Sequence, residues 1–167
     1  MVAHVVDAIL ASRASPVIVV TGHEAERVRA VLGDRPVQWR HNPDYAEGLS
    51  TSLRAGLDAL PEVDGVLIAL ADMPRIKAAQ VDRLIAAFHP TEGRAICVPT
   101  VRGKRGNPVL FATRFVPEMR RVSGDVGARH LIGTHAEEVV EIEMDDDAAL
   151  VDIDTPAALA ALLEAAR

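Results

Sequence analysis

A chain of 167 residues is long enough for one domain with a sizeable core and short for two. Nearly half of it is apolar (49%) but only 3% is aromatic, so the core is aliphatic, as suits helices packed on a Val/Ile-rich parallel sheet. A formal charge of −6 and a pI near 5.5 argue against broad nucleic-acid or anionic-membrane binding, which rest on positive patches.

In chain order, Val2, Val5, Val6, Ile9 and Leu10 recur at helical spacing, and the pattern stops at Ser15-Pro16. Pro16 to Thr21 is a short apolar run that reads as a buried strand ending at Gly22. Glu24 to Leu32 reads as a helix stopped by Gly33, and Val37 to Arg40 as a short strand closed by Asn42-Pro43. Gly48 opens a helix with Leu49, Leu53, Leu57 and Leu60 on one face. Gly65 to Leu70 is the strongest buried strand, and Val81, Leu84, Ile85 and Phe88 mark the helix after it. Further strands are expected at Ala95–Pro99, Val109–Phe111 and Val139–Met144. Thr155-Pro156 opens a last helix as N-cap and first helical residue.

This alternation predicts an α/β fold: a Rossmann-like, doubly wound, mainly parallel sheet in a single domain spanning residues 1–167. Cys97, the only cysteine, lies in an apolar run and reads as a buried, inert thiol. No stretch approaches the roughly 20 apolar residues of a membrane span, and no secretory signal opens the chain. The expectation is a soluble cytoplasmic protein.

In such sheets ligands lie beyond the carboxyl ends of the strands. Asp72, in Ala71-Asp-Met-Pro74 after the strongest strand, suits a hard cation such as Mg²⁺, or equally caps a turn. Asp152 and Asp154 precede Thr155-Pro156, where acidic residues also serve ordinary helix starts. Three segments could hold anions: the helix start Gly48-Leu-Ser-Thr-Ser52, the basic loop Arg102–Pro108, and Gly124-Asp125-Val-Gly-Ala-Arg129. Each serves as well as a cap or turn. There is no dinucleotide fingerprint, P-loop or nucleophile elbow, and the six histidines lack metal-ligand spacing.

Taken in order, Val17–Gly22, Asn42-Pro43, Gly48–Leu53, Leu70-Ala-Asp-Met-Pro74, Arg105-Gly-Asn-Pro-Val-Leu-Phe111, Gly124–Arg129 and Asp152-Ile-Asp-Thr-Pro156 resemble the MobA-like nucleotidyltransferases. The branch most similar is the molybdenum-cofactor cytidylyltransferases, with a fold of the nucleotide-diphospho-sugar transferase type. The resemblance implies transfer of CMP from CTP to molybdopterin or its metallated form, with release of pyrophosphate and Mg²⁺ as cofactor. A sister activity with GTP or another acceptor, and a catalytically inactive homologue that binds nucleotide or a partner, are the alternatives. By the same analogy Asp72 and Asp154 hold the metal, with Asp152 as second choice to Asp154. Asn42, Gly48, Ser50, Ser52, Pro74, Arg105, Gly106, Asn107, Asp125 and Arg129 hold nucleotide or pterin. The expected partners are the nucleotide and the pterin-type acceptor, with room for a molybdoenzyme or accessory protein, and neither nucleic acid nor membrane.

The chain departs from that family at its start. Nothing matches the L-A-A-G-x-S-x-R-M-G strand and loop that grip nucleotide phosphates there. The expectation is an N-terminally truncated domain in which Met1 is internal to a longer protein, with little turnover from residues 1–167 alone.

Overall fold

The computed structural model describes residues 1–150 apart from Val126. The expected Thr155 helix and the Asp152–Asp154 cluster lie outside the described residues. Helix α1 (Val2–Leu10) leads into β1 (Ile18–Thr21), α2 (Ala25–Leu32) and β2 (Gln38–His41). β1 and β2 pair in parallel, Ile18 opposite Gln38 through Thr21 opposite His41, so α2 is the crossover of a βαβ unit. α2 stops at Gly33, whose φ of +54° is open to glycine at no Cβ cost.

Helix α3 (Leu49–Leu57) precedes β3 (Gly65–Ile68), α4 (Ala78–Ala87), β4 (Ile96–Val101), β5 (Lys104–Arg105) and β6 (Val109–Ala112). Two short helices, α5 (Val116–Met119) and α6 (His130–Thr134), lead to β7 (Val139–Glu143). The second sheet runs β3-β6-β4-β5, with β7 on the other side of β4. β7 is parallel to β4, whereas β6 runs antiparallel to both β3 and β4. The fold class is thus α/β as expected, with a mixed sheet. Every residue of β4 and β6 is buried, which accounts for their unbroken apolar runs.

Local sequence explains two boundaries. β4 and β5 join through Arg102 (φ +51°) and Gly103 (φ +75°). Two left-handed residues make the turn whose twist matches a tight hairpin. The basic loop of the sequence is therefore partly a hairpin. β3 ends at Ile68, opposite Val109, two residues earlier than its apolar run. The next residue of β6's chain is Pro108, which has no N–H to continue the ladder.

Helices cover both faces. On one, Val5 of α1 packs with Ile76, Val81 and Leu67, Val6 with Val19 and Leu32, and Leu84 of α4 with Cys97 and Leu110. On the other, Leu57, Phe115, Met119, Leu131 and Ile132 pack with Val66, Ile96, Val98 and Phe111. Successive strand residues point to opposite faces, and β1 and β3 obey one alternation. Val19 and Leu67 meet α1, while Val20 and Val66 face α3. β1 and β3 accordingly share one layer, although no hydrogen bond joins their sheets among the described residues. No described helix is long and apolar enough to cross a membrane.

Candidate functional site

The carboxyl ends of β1, β2 and β3 carry Gly22, Asn42 and Asp72 respectively. Asn42 is 2% exposed and anchors the start of α3. Its Nδ2 donates to Thr51 Oγ1 (2.8 Å) and Ser52 Oγ (2.9 Å), and its Oδ1 accepts from the Asp44 N–H (3.0 Å). Thr51 Oγ1 lies 2.9 Å from the Gly48 carbonyl and 3.0 Å from that of Asp44. Gly48 has φ +109°, and a Cβ on it would fall 2.7 Å from Asp125 Oδ1 and from the Gly124 carbonyl carbon. The Ser50 N–H donates to the Gly124 carbonyl at 3.1 Å. Asn42, Gly48, Ser50, Ser52 and Asp125 are thereby gathered at one helix start. Within it Ser50 Oγ is buried and has no hydrogen-bond partner among the described residues.

Asp72 follows β3 in a turn whose next residue, Met73, is 1% exposed and fixes the loop to the core. Asp72 Oδ1 is buried without a partner among the described residues. A carboxylate oxygen in that position is costly unless a cation or donor reaches it. A hard divalent ion takes oxygen donors of this kind, so the residue fits a metal. Oxygen at the strand's carboxyl end also lies where open α/β sheets receive their ligands.

A family model described as a MobA-like NTP transferase domain matches residues 1–139. The chain belongs to that family. It is 30% identical to the purine catabolism protein PucB of Bacillus subtilis, over 88% of this chain and 75% of that protein. It is 28% identical to the nicotine blue oxidoreductase of Paenarthrobacter nicotinovorans, over 83% of this chain and 71% of that protein. It is 26% identical to the molybdenum cofactor cytidylyltransferase of Escherichia coli, over 85% and 71%. Among solved structures, the Rv0371c homologue of Mycobacterium sp. strain JC1 superposes with a TM-score of 0.85 at 25% identity, covering 98% of this chain and 81% of that one. Rv0371c of Mycobacterium tuberculosis, solved as a complex with manganese, shares the fold at 24% identity and a TM-score of 0.79, over 98% and 85%.

The remaining positions expected to bind ligand in this MobA-like domain lie in other settings. Pro74 is half-buried beside Met73. Arg105 is exposed, and its Nε donates to Glu141 Oε1 on β7 at 2.7 Å. Gly106 packs so closely on the 147–150 turn that an added Cβ would stand 2.2 Å from the Ala149 carbonyl oxygen. The Asn107 N–H donates to that same oxygen at 3.0 Å. Arg129 is exposed at the start of α6.

One constellation went unforeseen. The run Asp145-Asp146-Asp147 is strapped to α4 and the Asp72 loop by three cations. Arg83 reaches Asp145 at 2.7 Å, Lys77 reaches Asp146 at 2.6 Å and Arg75 reaches Asp147 at 3.0 Å. Gln80 Nε2 and the Ala148 N–H also donate to Asp146. The Lys77 hydrogen bond, with those from Ala148 and Gln80, holds the Asp146 carboxyl below its ordinary range. The strap lies immediately before Asp152 and Asp154 in the chain. The run of three aspartates was the available signal, but its partners are more than 60 residues away.

A second titratable group joins His135, Glu137 and Glu138, with ligand atoms within 4.8 Å of one another. Arg114 pairs with Glu138, and His135 Nε2 lies 3.0 Å from Glu118. Arg114 thus already occupies Glu138.

Proposed function

We propose that this MobA-like domain transfers a nucleotidyl group, CMP from CTP, to the terminal phosphate of a molybdopterin-type acceptor. The observation that carries the reading is the buried oxygen of Asp72, without a partner among the described residues, in the turn that follows β3. Asp72 would hold Mg²⁺ or a like divalent ion, with Asp154, or else Asp152, as second ligand. A metal in that place neutralises charge on the triphosphate. An acceptor phosphate oxygen attacks the α-phosphorus, the bond from that phosphorus to the bridging oxygen breaks, and pyrophosphate leaves. No covalent enzyme intermediate is needed, because such transfers rest on positioning and charge neutralisation.

The chain's own contribution is orientation. Asn42 and Thr51 fix the start of α3 and with it the place of Ser50 Oγ. Asp125 stands at the same end. The cytidylyltransferase relative supports CTP as donor. The alternative of GTP or a different acceptor stays within the same chemistry. The relative named as an oxidoreductase is a reason to test the acceptor and the reaction type directly.

The test is incubation of the chain with CTP or GTP, Mg²⁺ or Mn²⁺, and molybdopterin, with pyrophosphate as readout. Slow turnover with CTP, lowered at least roughly a hundredfold by Asp72→Ala, is the expected result. The variant should hold or gain about 1 kcal/mol in stability, because it removes an unsatisfied buried oxygen. Undiminished metal-dependent turnover in Asp72→Ala would remove Asp72 from the metal site. Absence of Mn²⁺ binding to the unsubstituted chain would count against the reading as a whole.

A further inference from the structure

The end of the sheet opposite Asp72 carries a second set of donor groups. β3 and β4 run the same way, because β6 lies antiparallel to both, and β7 is parallel to β4. The residues that enter β7 therefore lie at the far end from the carboxyl end of β3. There a single 3-10 turn, Ala136–Glu138, follows His135 and is closed by the Glu138 N–H, which donates to the His135 carbonyl at 2.9 Å. Side chains three residues apart eclipse in such a turn, so His135 and Glu138 project together. Both backbones are held in place. The His135 N–H donates to the Leu131 carbonyl in α6, and the Glu138 carbonyl accepts from the Ala95 N–H just before β4. The His135 ring packs on Phe115, with 4.7 Å between ring centroids.

His135, Glu137 and Glu138 each bring one donor atom to within 4.8 Å of the others. Glu118 of α5 adds another, its Oε2 lying 3.0 Å from His135 Nε2. Arg114 meets Glu138 through Oε2, which leaves Oε1. A carboxylate that ligates a metal ordinarily carries such an outer hydrogen bond. Three carboxylates thus face one guanidinium among the described residues, and a divalent charge would balance them. The imidazole sets the type of ion. Mg²⁺ and Ca²⁺ take oxygen donors, whereas a ring nitrogen suits Zn²⁺ and its neighbours in the first transition row. Zinc bonds of about 2.0–2.2 Å place tetrahedral donors about 3.4 Å apart. The donors here have to close by about 1.4 Å at most, which rotation of the long, partly exposed glutamates supplies.

We propose that His135, Glu137 and Glu138, with Glu118 as fourth donor, form a binding site for Zn²⁺ or a like transition-metal ion. Four protein donors leave no open position, which is the pattern of a structural site. The ion joins α5, the end of α6 and the entry to β7. It acts on stability and not on the transfer step, because it sits at the other end of the sheet from Asp72. The histidines show no metal-ligand spacing in sequence because the other donors are carboxylates, and Glu118 stands 17 residues from His135. The inference does not depend on the transfer reaction.

The experiment titrates the whole chain with Zn²⁺ by calorimetry and with Co²⁺ by visible absorption, in the unsubstituted protein and in Asp72→Ala. The expected result is saturable Zn²⁺ binding that persists in Asp72→Ala, tetrahedral Co²⁺ bands, and a Tm that rises with Zn²⁺ concentration. His135→Ala should weaken Zn²⁺ binding at least roughly tenfold. Glu137→Gln should do the same, and as a change at an exposed position it leaves the packing intact. Millimolar Mg²⁺ should not displace the ion. Unchanged Zn²⁺ binding in either variant overturns the proposal, because another set of donors then holds the metal. Loss of all Zn²⁺ binding in Asp72→Ala also overturns it, by placing the ion at the candidate active site. So does the absence of saturable Zn²⁺ binding to the unsubstituted chain. A negative transfer assay touches none of these outcomes.

Discussion

Asp72 and Gly48 show how single residues prepare this end of the molecule. Asp72 bears a carboxylate oxygen that the described protein leaves unsatisfied, a cost that the proposed cation would offset. Gly48 has the opposite logic: it keeps space empty. Its φ of +109° and the 2.7 Å approach of Gly124 and Asp125 exclude any side chain. Gly48→Ala should cost about 2 kcal/mol or more in urea unfolding, from backbone strain and a clash with main chain. Adding Asp125→Ala should not restore it, because the Gly124 carbonyl remains in the way. Stability close to that of the unsubstituted chain would show that the helix start relaxes freely. Asp72 was legible in sequence because an unbroken aliphatic run ends just before it. Asn42 was not legible in its actual setting. It was expected at the ligand, whereas its amide is spent on Thr51, Ser52 and Asp44, and nothing local announces those bonds.

Among the elements, the 145–150 turn depends most on charge. Lys77, Arg75 and Arg83 hold three successive aspartates, and Glu143 just upstream accepts from the Arg102 N–H at 2.6 Å and from Thr100 Oγ1 at 2.8 Å. The Arg102 N–H first, then the Thr100 hydroxyl, holds the Glu143 carboxyl below its ordinary range, as Lys77 does for Asp146. Both groups have folded pKa values depressed below the unfolded ones. Their contribution to stability is therefore complete above the unfolded values, near 4, and is lost as pH falls through the lowered folded values. Thermal unfolding followed from about pH 7 to about pH 2.5, which brackets those values, should show the Tm falling chiefly below about pH 4.5. Asp146→Asn should flatten that fall. An unchanged acid profile in the variant would mean the strap adds nothing measurable, as holds for many exposed ion pairs. The hairpin at Arg102-Gly103 and the early end of β3 at Pro108 follow from residues visible in the sequence, yet both need the partner strand to acquire meaning.

At the scale of the whole molecule the core is a helix-covered sheet whose middle is β4 and β6. Cys97 sits there with no exposure, and burial pushes its thiol up to about 11. The raised value favours the folded state fully below the unfolded value and is lost only as pH rises through about 11. At neutral pH alkylation of Cys97 should track global unfolding and not local opening. The check compares labelling rates with exchange of the β4 amides. Labelling much faster than that exchange would reveal a breathing motion of the sheet that its packing does not suggest.

The sequence by itself determined the alternation of helices and strands, the aliphatic core, the buried thiol and the position of Asp72 at a strand's end. Each of these follows from local periodicity, because side chains repeat every 3.6 residues in a helix and every two in a strand wherever they occur. Tertiary structure alone decided which strands pair and in which sense. It turned β6 antiparallel between β3 and β4 and brought Asp145–Asp147 to their cations. Strand pairing and ion pairing join residues far apart in the chain, and a strand's own pattern reports how deeply it is buried without naming its neighbour.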